Sequence, residues 1–525
     1  MATPRLTSAP FASISGGADS RFKVPGLRFF LIPALVAAAV ASPAAAGWQR
    51  ATSPHFIIYA DESPAELTRF AQKLERFDKA IRVTRQMADP PVGDGNRLVV
   101  FVVAGPLEVQ RLQRGANNGV AGFYRTRASG SIAVVPRRMS RDSLFKSDVV
   151  FFHEYAHHLM FQEISTPYPP WFVEGFAEFM GTAEVNPDGS VGLGGAPVHR
   201  AQSLYQKGNP LPFSAMLGAL APRSGDERAA LYARGWLLAH YLTFSPKRRG
   251  QLENYLSGIA AGRPPLDAAR LAFGDLDQLE RETGDYLKAD KFPFLTIPAA
   301  QLPIGPVAVE ALSAGMVAMM PLLMRMRAGT NGTDVAGPAA RARAVAAPFP
   351  TDPMVQLVLA YAELDADNFV AADAAANRAL AAKPDLVDAM IVKGRAALGL
   401  AKAKQPGASF IDARNWFTRA NKIDPEDPEP LLLFYDAYRH EKARPTANAI
   451  AALHYAADLA PQDMLLRLTN ARQYLADGKP VEARKALIPV AYNPHGGKLS
   501  DEARRLVGLI DAGQLKAAAD VPVTP

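Results

Sequence analysis

His153 and His157 stand four residues apart in the apolar run Phe151-Phe152-His153-Glu154-Tyr155-Ala156-His157-His158-Leu159-Met160. On a helix that spacing sends both imidazoles out of one face, where two ring nitrogens reach a single ion at about 2.0 to 2.1 Å. Glu154 follows the first histidine and so points beside the ion rather than at it. A carboxylate there can hold a metal-activated water, take its proton and later deliver it to a leaving amine. The competing reading is a pair of helix histidines satisfied by hydrogen bonds. His158 leaves by another face and is expected to be structural.

The segment Trp171-Phe172-Val173-Glu174-Gly175-Phe176-Ala177-Glu178-Phe179 decides between them. It closely resembles the third-ligand segment of gluzincin zinc metallopeptidases, in particular the aminopeptidase N group, where the glutamate before Gly-Phe-Ala is a zinc ligand. The resemblance implies Glu174 as third ligand, with a fourth position left for water or substrate as catalytic zinc requires. Between His157 and Glu174 lie 16 residues, slightly fewer than that group has, so the intervening loop should differ. Glu178, four residues after Glu174, is expected on the same face, accepting a hydrogen bond from the far nitrogen of His153 or His157, as a similarly placed acidic residue does in thermolysin-like enzymes. A solvent-facing glutamate near a helix end is the plainer alternative.

Tyr232-Ala233-Arg234-Gly235-Trp236-Leu237 also resembles the aminopeptidase N group, in which a tyrosine, two residues and a glycine open an apolar helix. That tyrosine donates a hydrogen bond to the oxyanion, which makes Tyr232 the candidate for transition-state stabilisation. A tyrosine packed in a helical core would look the same. The Gly-x-Met-Glu-Asn segment that grips a free amine in that group is absent. Gly130-Ser131-Ile132-Ala133-Val134-Val135 stands in the expected edge-strand place, where a bare strand pairs with an extended peptide. The absence favours an endopeptidase.

Positioning these residues requires strands at His55 to Ala60, Leu98 to Val103 and Ser131 to Pro136, read from short apolar runs bounded by Gly, Pro and Asp. Apolar residues at three and four spacing predict helices at Ala65 to Met87, Leu107 to Arg114, Phe145 to Gln162, Trp171 to Thr182, Glu227 to Thr243, Lys247 to Ala261 and Leu276 to Ala289. Residues 183–210 are rich in Gly and Pro and read as loop, and Pro306 to Met326 as a buried helix pair.

Further on, Pro384, Pro425 and Pro461 recur 41 and 36 residues apart, each closing an Ala-rich helix. Counted back from them, Ala372 and Ala379, then Ala413, Phe417 and Ala420, then Ala449, Leu453 and Ala456 are equivalent. Gly394, Tyr438 and Tyr474 sit in the preceding helices. The pattern resembles the tetratricopeptide repeat, in which small residues let paired helices approach and stack. A generic helical bundle is the alternative.

At 525 residues more than one core is expected. Lys and Arg number 58 against 51 Asp and Glu, a net of +7. Residues 1–46 carry +3 of that, through Arg5, Asp19, Arg21, Lys23 and Arg28, so +4 remains beyond them. No dense basic run accompanies so small a charge, which argues against nucleic acid as partner. Arg21, Lys23 and Arg28, the apolar run Phe29 to Val40 and Ser42-Pro43-Ala44-Ala45-Ala46 read as an export signal cleaved after Ala46. The chain has no cysteine, so disulfides, thiolate nucleophiles and thiolate–zinc sites are excluded.

The sequence thus predicts an α+β, thermolysin-like (gluzincin) zinc peptidase domain over residues 47–300 and a helical connector or degenerate repeat over 301–350. An all-α tetratricopeptide-like superhelix over 351–515 and a flexible tail over 516–525 complete the chain. The resemblances imply an exported, periplasmic or secreted, Zn2+-dependent endopeptidase, with Glu154 and Tyr232 catalytic, His153, His157 and Glu174 on the metal and Glu178 behind them. A peptide or protein substrate, a protein partner on the repeats and no membrane span in the mature chain complete the expectation. The rival readings are a non-catalytic or very selective zinc-binding scaffold acting through its repeats, and a zinc hydrolase of a non-peptide bond.

Overall fold

The computed structural model describes residues 47–519 apart from 91, 114–121, 139–146, 164–167, 207–210, 219–223, 290, 330–335 and 494–496. The export signal read at residues 1–46 therefore lies outside the described residues. The chain opens with strands β1 (Trp48–Thr52) and β2 (Phe56–Asp61), helix α1 (Pro64–Arg85), β3 (Leu98–Val103), α2 (Pro106–Leu112), β4 (Phe123–Arg125) and β5 (Ile132–Pro136). Next come α3 (Ser147–Glu163), α4 (Pro170–Gly181), β6 (Glu184–Val185), β7 (Val191–Leu193), α5 (Ala201–Leu204), α6 (Phe213–Leu217) and α7 (Gly225–Phe244). Then follow α8 (Gln251–Ala260), α9 (Pro265–Phe273), α10 (Leu276–Tyr286), β8 (Leu295–Ile297), β9 (Ala308–Ala311), α11 (Ala314–Arg327) and α12 (Ala336–Ala346).

The main sheet has the order β4-β5-β3-β2-β1-β9. β2, β3 and β5 run parallel, while β1, β4 and β9 pair antiparallel with their neighbours. Both faces of its centre are buried. Phe56, Ile58, Leu98, Val100, Ala133 and Val135 enter one core, whereas Ile57, Tyr59, Phe101, Val103, Ile132 and Val134 enter a second. Strands covered on both faces gain nothing from polar alternation, which is why they read as unbroken apolar runs. Burying each large side chain stabilises the fold by about 1.5 to 3 kcal/mol. α1 covers the first face; its start is set by a capping box in which Ser63 Oγ accepts the Glu66 N–H and Glu66 accepts the Ser63 N–H, both at 3.3 Å.

Two expectations are corrected. The segment Gly130 to Val135 is not the edge: β5 lies between β3 and β4, and β4 is the outer strand. Only three residues long, β4 is too short to show a period of two. Pro306 to Met326 is not a helix pair but β9, which pairs with β1, followed by the single helix α11. Met316, Met319 and Met320 of α11 fill the second core, so its apolar character serves packing against the sheet.

Beyond α12 the chain is a series of helical hairpins, α13 (Pro353–Asp365) with α14 (Phe369–Ala382), α15 (Val387–Lys402) with α16 (Phe410–Ile423) and α17 (Pro428–Glu441) with α18 (Ala447–Leu459). α19 (Met464–Ala476) pairs with α20 (Pro480–Ala491), and α21 (Lys498–Asp511) and α22 (Leu515–Ala519) close it. Ala372, Ala379, Ala413, Phe417, Ala420, Ala449, Leu453 and Ala456, equivalent in sequence, are all fully buried. A Cβ on Gly394 would lie 2.4 Å from the Phe417 ring, so glycine permits that close crossing. Among the described residues no helix is long and apolar enough to cross a membrane.

Candidate metal centre

Helix α3 is apolar on nearly every side because it is enclosed by α1, the sheet and α4. Phe152 stacks on Phe77 of α1 with ring centroids 3.8 Å apart, and the Tyr155 hydroxyl donates to Asp78 at 2.8 Å. Those contacts fix the rotation of α3 and turn His153 and His157 the other way, toward α4. Every residue of α4 from Trp171 to Gly181 is buried. Gly181 lets α4 close on α3, since a Cβ there would sit 3.3 Å from the Cβ of His153.

The Nε2 atoms of His153 and His157 are 3.1 Å apart, and each lies 3.4 Å from Oε2 of Glu174. A tetrahedral zinc with bonds of about 2.0 to 2.1 Å requires ligand atoms roughly 3.3 Å apart, so this triangle has the size such an ion needs. Two nitrogens and one carboxylate oxygen are also a donor set that zinc accepts. Behind them His153 Nδ1 faces Glu178 Oε1 at 3.3 Å. Burial opposes a charge on His153, but its hydrogen bonds to Glu174 and Glu178 and their negative charge prevail and push its pKa up to about 10. Burial likewise opposes ionisation of Glu174 and Glu178, yet the facing histidines hold both carboxyls below their usual range, with Arg200 assisting at Glu178.

Tyr232 comes from α7. Its ring lies parallel to His153, centroids 5.9 Å apart, and its hydroxyl bonds to Glu174. Burial and the Glu174 charge raise its pKa, so it stays a donor. Helices α4 and α7 cross glycine on glycine: a Cβ on Gly175 would fall 2.4 Å from Gly235 backbone, and one on Gly235 would fall 2.7 Å from the Trp171 carbonyl. This crossing sets Glu174, next to Gly175, against Tyr232, one turn before Gly235.

Two participants escaped the sequence reading. His199 and Arg200, in a 3-10 turn (Val198–Arg200) of the segment read as loop, both grip Glu178. His199 Nε2 bonds Oε2 at 2.8 Å, and Arg200 donates to Oε1 at 2.6 and 3.1 Å. The Arg200 guanidinium also lies 4.7 Å from the Tyr232 ring centre, a cation–π distance. A single polar pair without periodicity offers no local signal. His158 is buried, bonded to the Tyr124 hydroxyl, and burial lowers its pKa to about 3, keeping it neutral.

A second grouping, His55, Asp78 and Asp89, has ligand-like spacing. Its carboxylates are already taken up by Arg82 and Lys79, at 2.8 and 2.5 Å, and it ties α1 to β2. Glu154 and His157 instead open into a cleft of about 390 Å³ shared with β4, Phe161, Met464 and Asn493.

No family model and no curated protein matches the chain. Among solved structures it is similar to a thermophilic TPR protein of Thermus thermophilus, at 16% identity over 39% of this chain and 98% of that one. The TM-score is 0.29, too low for the likeness to bear on the fold or the site.

Proposed function

We propose that the protein is a zinc-dependent hydrolase of peptide bonds, acting as an endopeptidase of gluzincin type. The observation that carries this reading is the 3.1, 3.4 and 3.4 Å triangle of His153, His157 and Glu174 with Glu154 beside it in an open cleft. Zinc, when bound, supplies a Lewis acid that polarises a carbonyl and acidifies a coordinated water. Glu154 takes the proton of the attacking water and returns it to the leaving amine. Tyr232, kept protonated by its surroundings, donates to the developing oxyanion once substrate draws its hydroxyl from Glu174. Glu178, steadied by His199 and Arg200, holds His153 in the tautomer that presents Nε2.

A second reading is a zinc-binding scaffold that acts through its helical hairpins. The observation favouring it is the exposure of large apolar side chains on those helices, among them Val370, Ile411, Leu465 and Val481. Metal content and proteolysis of unfolded casein, measured together, separate the two. The enzyme should carry about one zinc per chain and cleave; zinc without cleavage leaves the scaffold, and no zinc rejects both.

A further inference from the structure

The cleft at Glu154 has walls from distant parts of the chain. One is β4 with the two residues after it, and the other is formed by Met464, the first residue of α19, with Asn493. The first turn of α19 is pinned in that position. The Asp463 carboxylate accepts the Ala128 N–H, just past β4, at 2.7 Å, and caps α19 through the N–H groups of Leu465 and Leu466 at 2.9 and 3.0 Å. One turn further, Arg467 donates to the Phe161 carbonyl at the end of the histidine helix, at 3.3 Å. Asn96 donates to the carbonyls of Leu459 and Glu426 at 3.0 and 3.2 Å, securing the preceding hairpin to the loop before β3.

We propose that this turn of α19 is a substrate-contacting wall, and that Met464 selects a large apolar side chain of an extended polypeptide segment lying along β4. The proposal rests on the peptidase reading for its chemistry, not for its geometry. β4 pairs with β5 on one side, and among the described residues no strand covers its other side. Such an edge presents N–H and C=O groups in register for an extended chain. With α19 opposite, the cleft has a wall on each side of Glu154, a shape that suits an extended segment better than the surface of a folded protein. Met464 is half-buried and packs against the core that holds α3. Its unbranched thioether adapts to varied apolar groups, and it stands among the polar Arg125, Arg127, Glu154 and Asn493. Side chains of a β-paired segment alternate in direction, so the preference should fall at one position of the substrate and skip its neighbours.

The test uses the full chain. In a Glu154→Gln background, Met464 is replaced by the photo-reactive p-benzoylphenylalanine and irradiated with lactalbumin, either native or reduced and carboxymethylated. The unfolded form should cross-link and the native form should not, while the same probe at exposed Val481 should capture neither. Absence of the adduct at 464, or equal capture of native protein, overturns the proposal. In the otherwise unaltered chain, Met464→Ala should lower kcat/KM roughly 10- to 200-fold for peptides with a large apolar residue at the selected position, relative to alanine there, with zinc content unchanged. An unchanged preference profile likewise overturns it. Cross-linking at 464 without cleavage by the wild type would reject the peptidase reading and leave the polypeptide cleft standing.

Discussion

Two substitutions divide metal binding from chemistry. On the proposed zinc reading Glu174→Ala leaves only the two histidines, so zinc content by mass spectrometry should fall from about one per chain toward zero. Glu154→Gln leaves all three ligands in place, so zinc should remain while the rate of casein cleavage drops by about 10²- to 10⁴-fold. Arg200→Met removes both hydrogen bonds to one oxygen of Glu178 and the charge over Tyr232. Zinc affinity, measured by chelator competition, should weaken by about 10- to 100-fold, with partial recovery in Arg200→Lys. An Arg200→Met protein with wild-type affinity would show that Glu178 needs no such support. His153 and His157 were legible because four-residue spacing is a local property of a helix, and Glu174 because its segment resembles the gluzincin third-ligand segment. His199 and Arg200 were not, because their role depends on a fold that returns them to a helix some twenty residues earlier.

Between helices, the glycine pair at the α4–α7 crossing carries the arrangement. Gly235→Ala would press a methyl into the Trp171 carbonyl at 2.7 Å and the Gly175 Cα at 3.2 Å. It should cost about 1 to 3 kcal/mol in urea unfolding and shift Tyr232 away from His153. A different element titrates. Asp427 caps α17 by accepting the Glu429 N–H at 2.9 Å, and burial, then the charges of Glu429, Asp388 and Asp424, push its pKa up to about 8. Unfolded, the same group ionises near 3.8, so between that pH and about 8 the unfolded chain sheds its proton first and stability falls as pH rises, levelling above 8. Asp427→Asn keeps the cap without the ionisation. It should match the wild type near pH 4 and exceed it by several kcal/mol, at most about 6, at pH 9, as read by urea midpoints at the two pH values. Helices and parallel strands were readable from apolar runs, whereas β4 was too short for its three residues to stand out.

At the scale of the whole molecule, the second face of the sheet is covered by α2 and by helices from beyond residue 313. Tyr59, Phe101 and Ile132 share one core with Met316 and Met319 of α11 and with Val355, Leu359 and Ala376 of the first hairpin. A chain ended at residue 350 would keep α11 but lose the hairpin, exposing that core. It should bind a hydrophobic dye and lack the cooperative thermal transition of the full chain; a sharp transition in the shortened protein would show the hairpins to be dispensable.

By itself the sequence determined the two candidate histidine ligands, the helix that bears them and the recurring small residues of the hairpins, since these depend on spacing within single elements, while Glu174 was read from the resemblance of its segment to the gluzincin third-ligand segment. Tertiary structure alone decided that β4 rather than β5 is the edge, that both sheet faces are buried and that Arg200 braces Glu178. It also brought α19 to the cleft through a hydrogen bond between Ala128 and Asp463, 335 residues apart. A contact of that length is chosen by the shapes of two finished surfaces, and neither local stretch of chain carries a signal of it.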